Sequence, residues 1–134
     1  MTSGTFKPIR NTDLPKNFRA IRLALAREPG HPEGDAGIGY VILAPLDQNG
    51  RIDAALWKAN REACRVARFR PDGEDRGHLI HRPGGSWSFR YDLGDGSEDV
   101  GYHFSDERFV VGEYVSIKEK DKDHAFRVVS VSPL

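Results

Sequence analysis

His78-Leu-Ile-His-Arg-Pro-Gly-Gly-Ser-Trp-Ser-Phe-Arg-Tyr-Asp92 is the stretch whose reading decides the fold. Trp87, Phe89 and Tyr91 alternate with Ser88 and Arg90, the period of a strand with one face against a core. Pro83, Gly84 and Gly85 break the run just before it, as a turn would. A two-residue turn at Gly84-Gly85 sets Arg82 opposite Trp87, Ile80 opposite Phe89 and His78 opposite Tyr91. In that register, apolar residues meet apolar residues across the strands.

The same pattern repeats outward. Gly112 precedes a strand from Glu113 to Glu119, and a turn at Asp121-Lys122 leads into His124 to Val131. That turn pairs Glu119 with His124, Ile117 with Phe126 and Val115 with Val128. Val100 to Phe104 reads as a short strand after the Asp95-Gly96 turn. Upstream, Phe18 to Arg27 alternates, with Ile21, Leu23 and Leu25 on one face. Glu28 to Asp35 is dense in Pro and Gly and reads as a loop. Ile38 to Leu46 is apolar on both faces and reads as a covered strand. The helical exception starts at Asp53, a cap whose carboxylate can accept from free first-turn amides. Leu56, Ala59 and Ala63 follow at helical spacing, giving one short helix near 53–64.

These elements define a mainly β chain, a small antiparallel barrel-like domain or a sandwich. Residues 1–17 form an irregular lead-in, broken by Pro8 and Pro15, and 18–134 form a single β-rich domain. The tail Phe109-Val-Val-Gly-Glu-Tyr-Val-Ser-Ile117, with Phe126-Arg-Val-Val-Ser-Val131, resembles strands of small SH3-like or PUA-like barrels. In those, a glycine precedes a strand that turns back into another. The likeness is confined to these residues and implies no functional residue.

The chain has 134 residues, of which 20 are basic and 20 acidic. Residues 1–70 hold 12 Lys and Arg against 7 Asp and Glu, and residues 71–134 hold 8 against 13. Zero net charge does not favour nucleic acid, which needs many phosphate contacts. There is one cysteine, Cys64, so no intramolecular disulfide marks an oxidising compartment. Met1 to Pro15 has no apolar run of a signal peptide, and no segment reaches the ~20 apolar residues of a membrane helix. The expected setting is cytoplasmic, with no membrane partner.

The motifs give weak chemistry. Gly37-x-Gly39 precedes a strand and opens no helix, unlike a phosphate loop. His78-x-x-His81 places its histidines on opposite faces of a strand, so no metal site is expected. Cys64 lies among Arg61, Arg65 and Arg68, which would lower a thiol pKa, but buried structural cysteines are common. Ser86 lacks the Gly-x-Ser-x-Gly context of a nucleophile elbow. Asp92, Asp95, Glu98 and Asp99 are dense enough in oxygen to suit a cation, without the spacing of a calcium-binding loop.

The hairpin remains. In the register above, His78 and Arg82 share a face with Ile80, Trp87, Phe89 and Tyr91, and Arg82 can stack on Trp87. The expected function is a non-catalytic binding or interaction module, without a cofactor. Its ligand surface comprises His78, Arg82, Trp87 and Tyr91, with His81 and His103 nearby. The partner is a small molecule or a protein, and a homo-oligomer is possible. The alternative is a small enzyme with a pocket of His78, His81, Arg82 and His103, since histidine suits proton transfer near neutral pH.

Overall fold

A computed structural model describes residues 14–134, so most of the irregular lead-in lies outside the described residues. Eight antiparallel strands close into a barrel in chain order. They are β1 (Phe18–Leu25), β2 (Asp35–Pro45), β3 (Arg65–Arg70), β4 (Gly73–His81), β5 (Trp87–Tyr91), β6 (Glu98–Gly101), β7 (Tyr114–Glu119) and β8 (Lys122–Pro133). β8 pairs with β1 and closes the ring, with a register shift between Arg22 and Leu23. Closure removes the two free edges that an open sheet would expose. The seam between β6 and β7 runs through Val100 opposite Lys118. No helix among the described residues is long and apolar enough to cross a membrane.

The helix expected near 53–64 is two pieces. α1 (Ala54–Ala59) is capped by Asp53, whose Oδ1 accepts from Leu56 N at 3.1 Å. A single 3-10 turn follows at Arg61–Ala63, and β3 begins at Arg65.

Both hairpin registers differ from the expected ones, for different reasons. Between β4 and β5 the connection is Pro83–Gly85, closed by Arg82 N donating to Ser86 O. Gly84 and Gly85 take φ of 84° and 88°, conformations that glycine adopts without steric cost. With one extra loop residue, His81 pairs with Trp87, Leu79 with Phe89 and Gly77 with Tyr91. A slip of one exchanges the faces. Ile80, His78 and Arg82 therefore point outward, and Leu79 takes the core position. Between β7 and β8 the turn is Lys120-Asp121, with Lys120 at φ 56°. Ile117 faces His124 and Val115 faces Phe126, a slip of two. Such a slip preserves faces, so the apolar pattern is satisfied in either register.

Inside the barrel the side chains stack in layers. At one end Trp57 of α1 donates from Nε1 to Leu79 O at 2.8 Å and meets Trp87 edge-on at 5.3 Å. Phe104 and Phe109, from the segment between β6 and β7, are buried beside them. The middle layer contains Ile21, Leu23, Ile42, Phe89, Ile117 and Phe126, all fully buried. Tyr40 lies beyond it, edge-on to Phe89 and Phe126 at 5.0 and 5.1 Å.

At Gly77, on β4, an added Cβ would collide with the Arg90 carbonyl oxygen and the Tyr91 backbone of β5. Gly77→Ala is expected to lose about 1–3 kcal/mol, the usual cost of overpacking. A lowered urea midpoint with an unchanged far-UV spectrum would show it; an unchanged midpoint would contradict this strand spacing.

Candidate functional site

The barrel interior changes character at the end away from α1. Strand alternation carries inward-facing positions into that end. On β3, Val66 faces Ile42 across the β2 pairing, and two residues on Arg68 faces Tyr40. On β6, Asp99 lies opposite Phe89. On β7, Glu119 continues the row of Val115 and Ile117. The apolar rows thus end in charged residues, and these meet.

Asp99, 4% exposed, collects three donors on Oδ2. They are the hydroxyl of Tyr91 at 2.6 Å, the hydroxyl of Tyr40 at 2.9 Å and Nη1 of Arg68 at 3.1 Å. Arg68 also donates from Nε and Nη2 to Asp75, and its guanidinium lies 4.7 Å over the Tyr91 ring. Glu119 accepts from Arg70 Nη2 at 2.8 Å and from the Tyr40 hydroxyl. The Tyr40 hydroxyl has one proton and so serves Asp99 or Glu119 at any instant. His124 places Nδ1 2.7 Å from Glu28, and its Nε2 faces Glu119 at 3.8 Å.

Burial sets the chemistry of these groups. It raises the Tyr40 phenol far above its ordinary value, and the acidic neighbours Tyr91, Asp99 and Glu119 raise it further. Tyr91 is raised likewise, by burial and then by Asp99. Both tyrosines are therefore neutral O–H donors at physiological pH, unsuited to act as phenolate bases. Burial works against the Arg68 charge, but Asp75, Tyr91 and Asp99 outweigh it and hold the guanidinium protonated.

Above this layer lies a half-open groove of about 900 Å³. Arg68, Arg70, Asp99, Glu119 and His124 form its charged wall. The β5–β6 loop, through Asp95 and Ser97, the β7–β8 turn, through Lys120 and Asp121, and Lys122 at the start of β8 form its rim.

Of the six residues expected to carry a site, Tyr91 joins this cluster. Trp87 is buried at the opposite end, its Nε1 donating to Ser105 Oγ at 3.1 Å. His81, rather than Arg82, stacks on Trp87, with ring centroids 4.2 Å apart and 18° between planes. Arg82 is on the outer wall, where Nη2 meets Glu98 at 2.6 Å. His78 is also outside, 3.5 Å from Asp92. His103 lines a separate small cleft with Tyr102, Ser116 and Lys118. The four residues of the enzymatic alternative thus do not converge: His78 and Arg82 lie on the outer wall, His81 packs on Trp87 and His103 lines its own cleft.

The acidic stretch 92–99 is divided too. Asp99 turns inward, Glu98 turns outward to Arg82 and Arg90, and Asp95 accepts from the amide of Ser97 within its own turn. Partial burial pushes Glu98 up, but the hydrogen bonds from Arg82 and Arg90 prevail and hold it low. Cys64 is fully buried, and burial pushes its thiol up to about 12, so the neighbouring arginines do not activate it.

Arg70, Glu119 and His124 were not singled out as site residues from the sequence. Their signal was parity: a charge on the apolar face of a strand. Comparison with protein-family models, curated proteins and solved structures finds no match for this chain.

Truncations on the β4–β5 hairpin separate core from surface. Trp87→Ala is expected to lose about 3–5 kcal/mol on unfolding. Arg82→Ala should lose no more than about 1, because its ion pair is partly exposed and Arg90 still holds Glu98. Comparable losses from the two would contradict the observed register.

Proposed function

We propose that this protein is a non-catalytic binding module that takes a small polar molecule in the charged mouth of its barrel. One observation carries the reading: the inward-facing rows turn from apolar to charged at the end that opens into the groove. The other end is filled by Trp57, Phe104 and Phe109. Charges inside a barrel are costly unless paired, and here they are paired and pre-oriented. Eight-stranded barrels are of a size to hold one small ligand at the mouth.

The ligand surface thus shifts from the whole His78–Tyr91 hairpin to its Tyr91 end. A concave groove suits a small molecule better than a protein surface. Its mixed charges do not suit nucleic acid, which calls for a continuous basic track. A lone buried thiol suits a reducing compartment such as the cytoplasm.

The test is a thermal-shift screen of the full chain with neutral, cationic, anionic and zwitterionic small molecules and a short oligonucleotide. Ligands that bind the native state raise its apparent stability. At least one small-molecule class is expected to raise Tm saturably and to be recovered chemically unchanged. Ser97→Trp, on the exposed rim, should abolish the shift while leaving the unliganded Tm near the original. A screen without hits, or hits indifferent to Ser97→Trp, would overturn the proposal.

A further inference from the structure

We infer that the ligand is anchored by an oxyanion, a carboxylate or phosphate, seated on the guanidinium of Arg70. This rests on the reading of the barrel mouth as a binding site and names the chemistry of what enters it.

A guanidinium carries five N–H groups. Arg68 commits three nitrogens, Nε and Nη2 to Asp75 and Nη1 to Asp99. Arg70 makes one side-chain hydrogen bond among the described residues, from Nη2 to Glu119. Four of its N–H groups are uncommitted, and the side chain is 32% exposed on the wall of the groove. The planar fork matches the two oxygens of a carboxylate or phosphate.

The lining holds four cations and five carboxylates, and what decides is which of them are already paired. Glu119 engages a single nitrogen of Arg70 through Oε2, which also accepts from the Tyr40 hydroxyl, and leaves the rest of the guanidinium fork open. Nε2 of His124 and the ammonium groups of Lys120 and Lys122 belong to the same groove. Neither lysine has an ion-pair partner among the described residues. On the acidic side, Asp99 and Glu98 are already committed to arginines. Asp95 and Asp121, at the rim, oppose a long polyanion. A small anion therefore fits where a nucleic-acid backbone would not.

The test follows the arginine Nε–H signals and backbone amides of the 15N-labelled full chain. Sodium acetate and inorganic phosphate are titrated separately against sodium chloride at matched ionic strength. The Arg70 Nε–H signal and the amides of residues 120–124 are expected to shift along a saturating curve for at least one oxyanion, but not for chloride. Whichever of the two saturates at lower concentration identifies the source of the oxyanion. Arg70→Gln should abolish saturation. Arg70→Lys, which keeps a cation beside Glu119 but removes the fork, should weaken it at least several-fold and covers the case in which Arg70→Gln does not fold.

Shifts that follow chloride, or saturation that survives both variants, would overturn the inference. If wild type instead binds only neutral or cationic molecules, and Ser97→Trp blocks them, the mouth remains the site and the oxyanion anchor falls. If Ser97→Trp blocks nothing, the site itself falls.

Discussion

The carboxylate of Asp99 lies inside a barrel whose neighbouring layer is Phe89, Phe126 and Ile117. A charge so placed loses its hydration and must find compensation from the protein. It obtains that from two phenols and a guanidinium supplied by three other strands: Tyr40 from β2, Arg68 from β3 and Tyr91 from β5. Breaking such an arrangement by removing one partner is far more damaging than never having built it. The mouth is thus a ring of mutual obligations, and the register of β2, β3, β5 and β6 must be right for it to close.

That dependence runs both ways. Tyr40 touches the apolar layer with its ring, edge-on to Phe89 and Phe126, and the charged layer with its hydroxyl. A strand slip of one residue would bury an arginine among phenylalanines and expose leucines. A slip of two would keep the apolar faces inward but part Asp99 from its donors, so the polar layer specifies register where the apolar layer alone would tolerate sliding. That layer also orients Glu119 through the Tyr40 hydroxyl, and Glu119 in turn accepts from Arg70; a pre-organised set of charges loses little entropy when a ligand arrives.

Much of the barrel was legible in the sequence because period-two alternation is strong in 87–91, 115–119 and 18–25. The face assignment of β7 and β8 survived an incorrect turn, since a slip of two leaves alternation unchanged. The face assignment of β4 did not survive, because Pro83-Gly84-Gly85 forms a three-residue connection and one residue reverses every side chain. Ile80 and Leu79 are equally apolar, so composition could not choose between them. The site was harder to read. Its charges come from strands far apart in the chain, such as Arg70 and Glu119, and their meeting depends on barrel closure. What the sequence did contain was Arg68 two residues after Val66, and Glu119 two after Ile117. These are charges on core-facing parity, which only the closed barrel shows to be compensated.

The most direct measurement is the unfolding free energy of Asp99→Ala against wild type in urea. If the buried carboxylate organises the mouth, its removal leaves the Tyr91 hydroxyl and Nη1 of Arg68 without an acceptor, while Tyr40 retains Glu119 and the rest of Arg68 retains Asp75, and should cost about 2–4 kcal/mol. A loss within about 0.5 kcal/mol, the range of ordinary surface substitutions, would show that the layer is incidental and contradict this account.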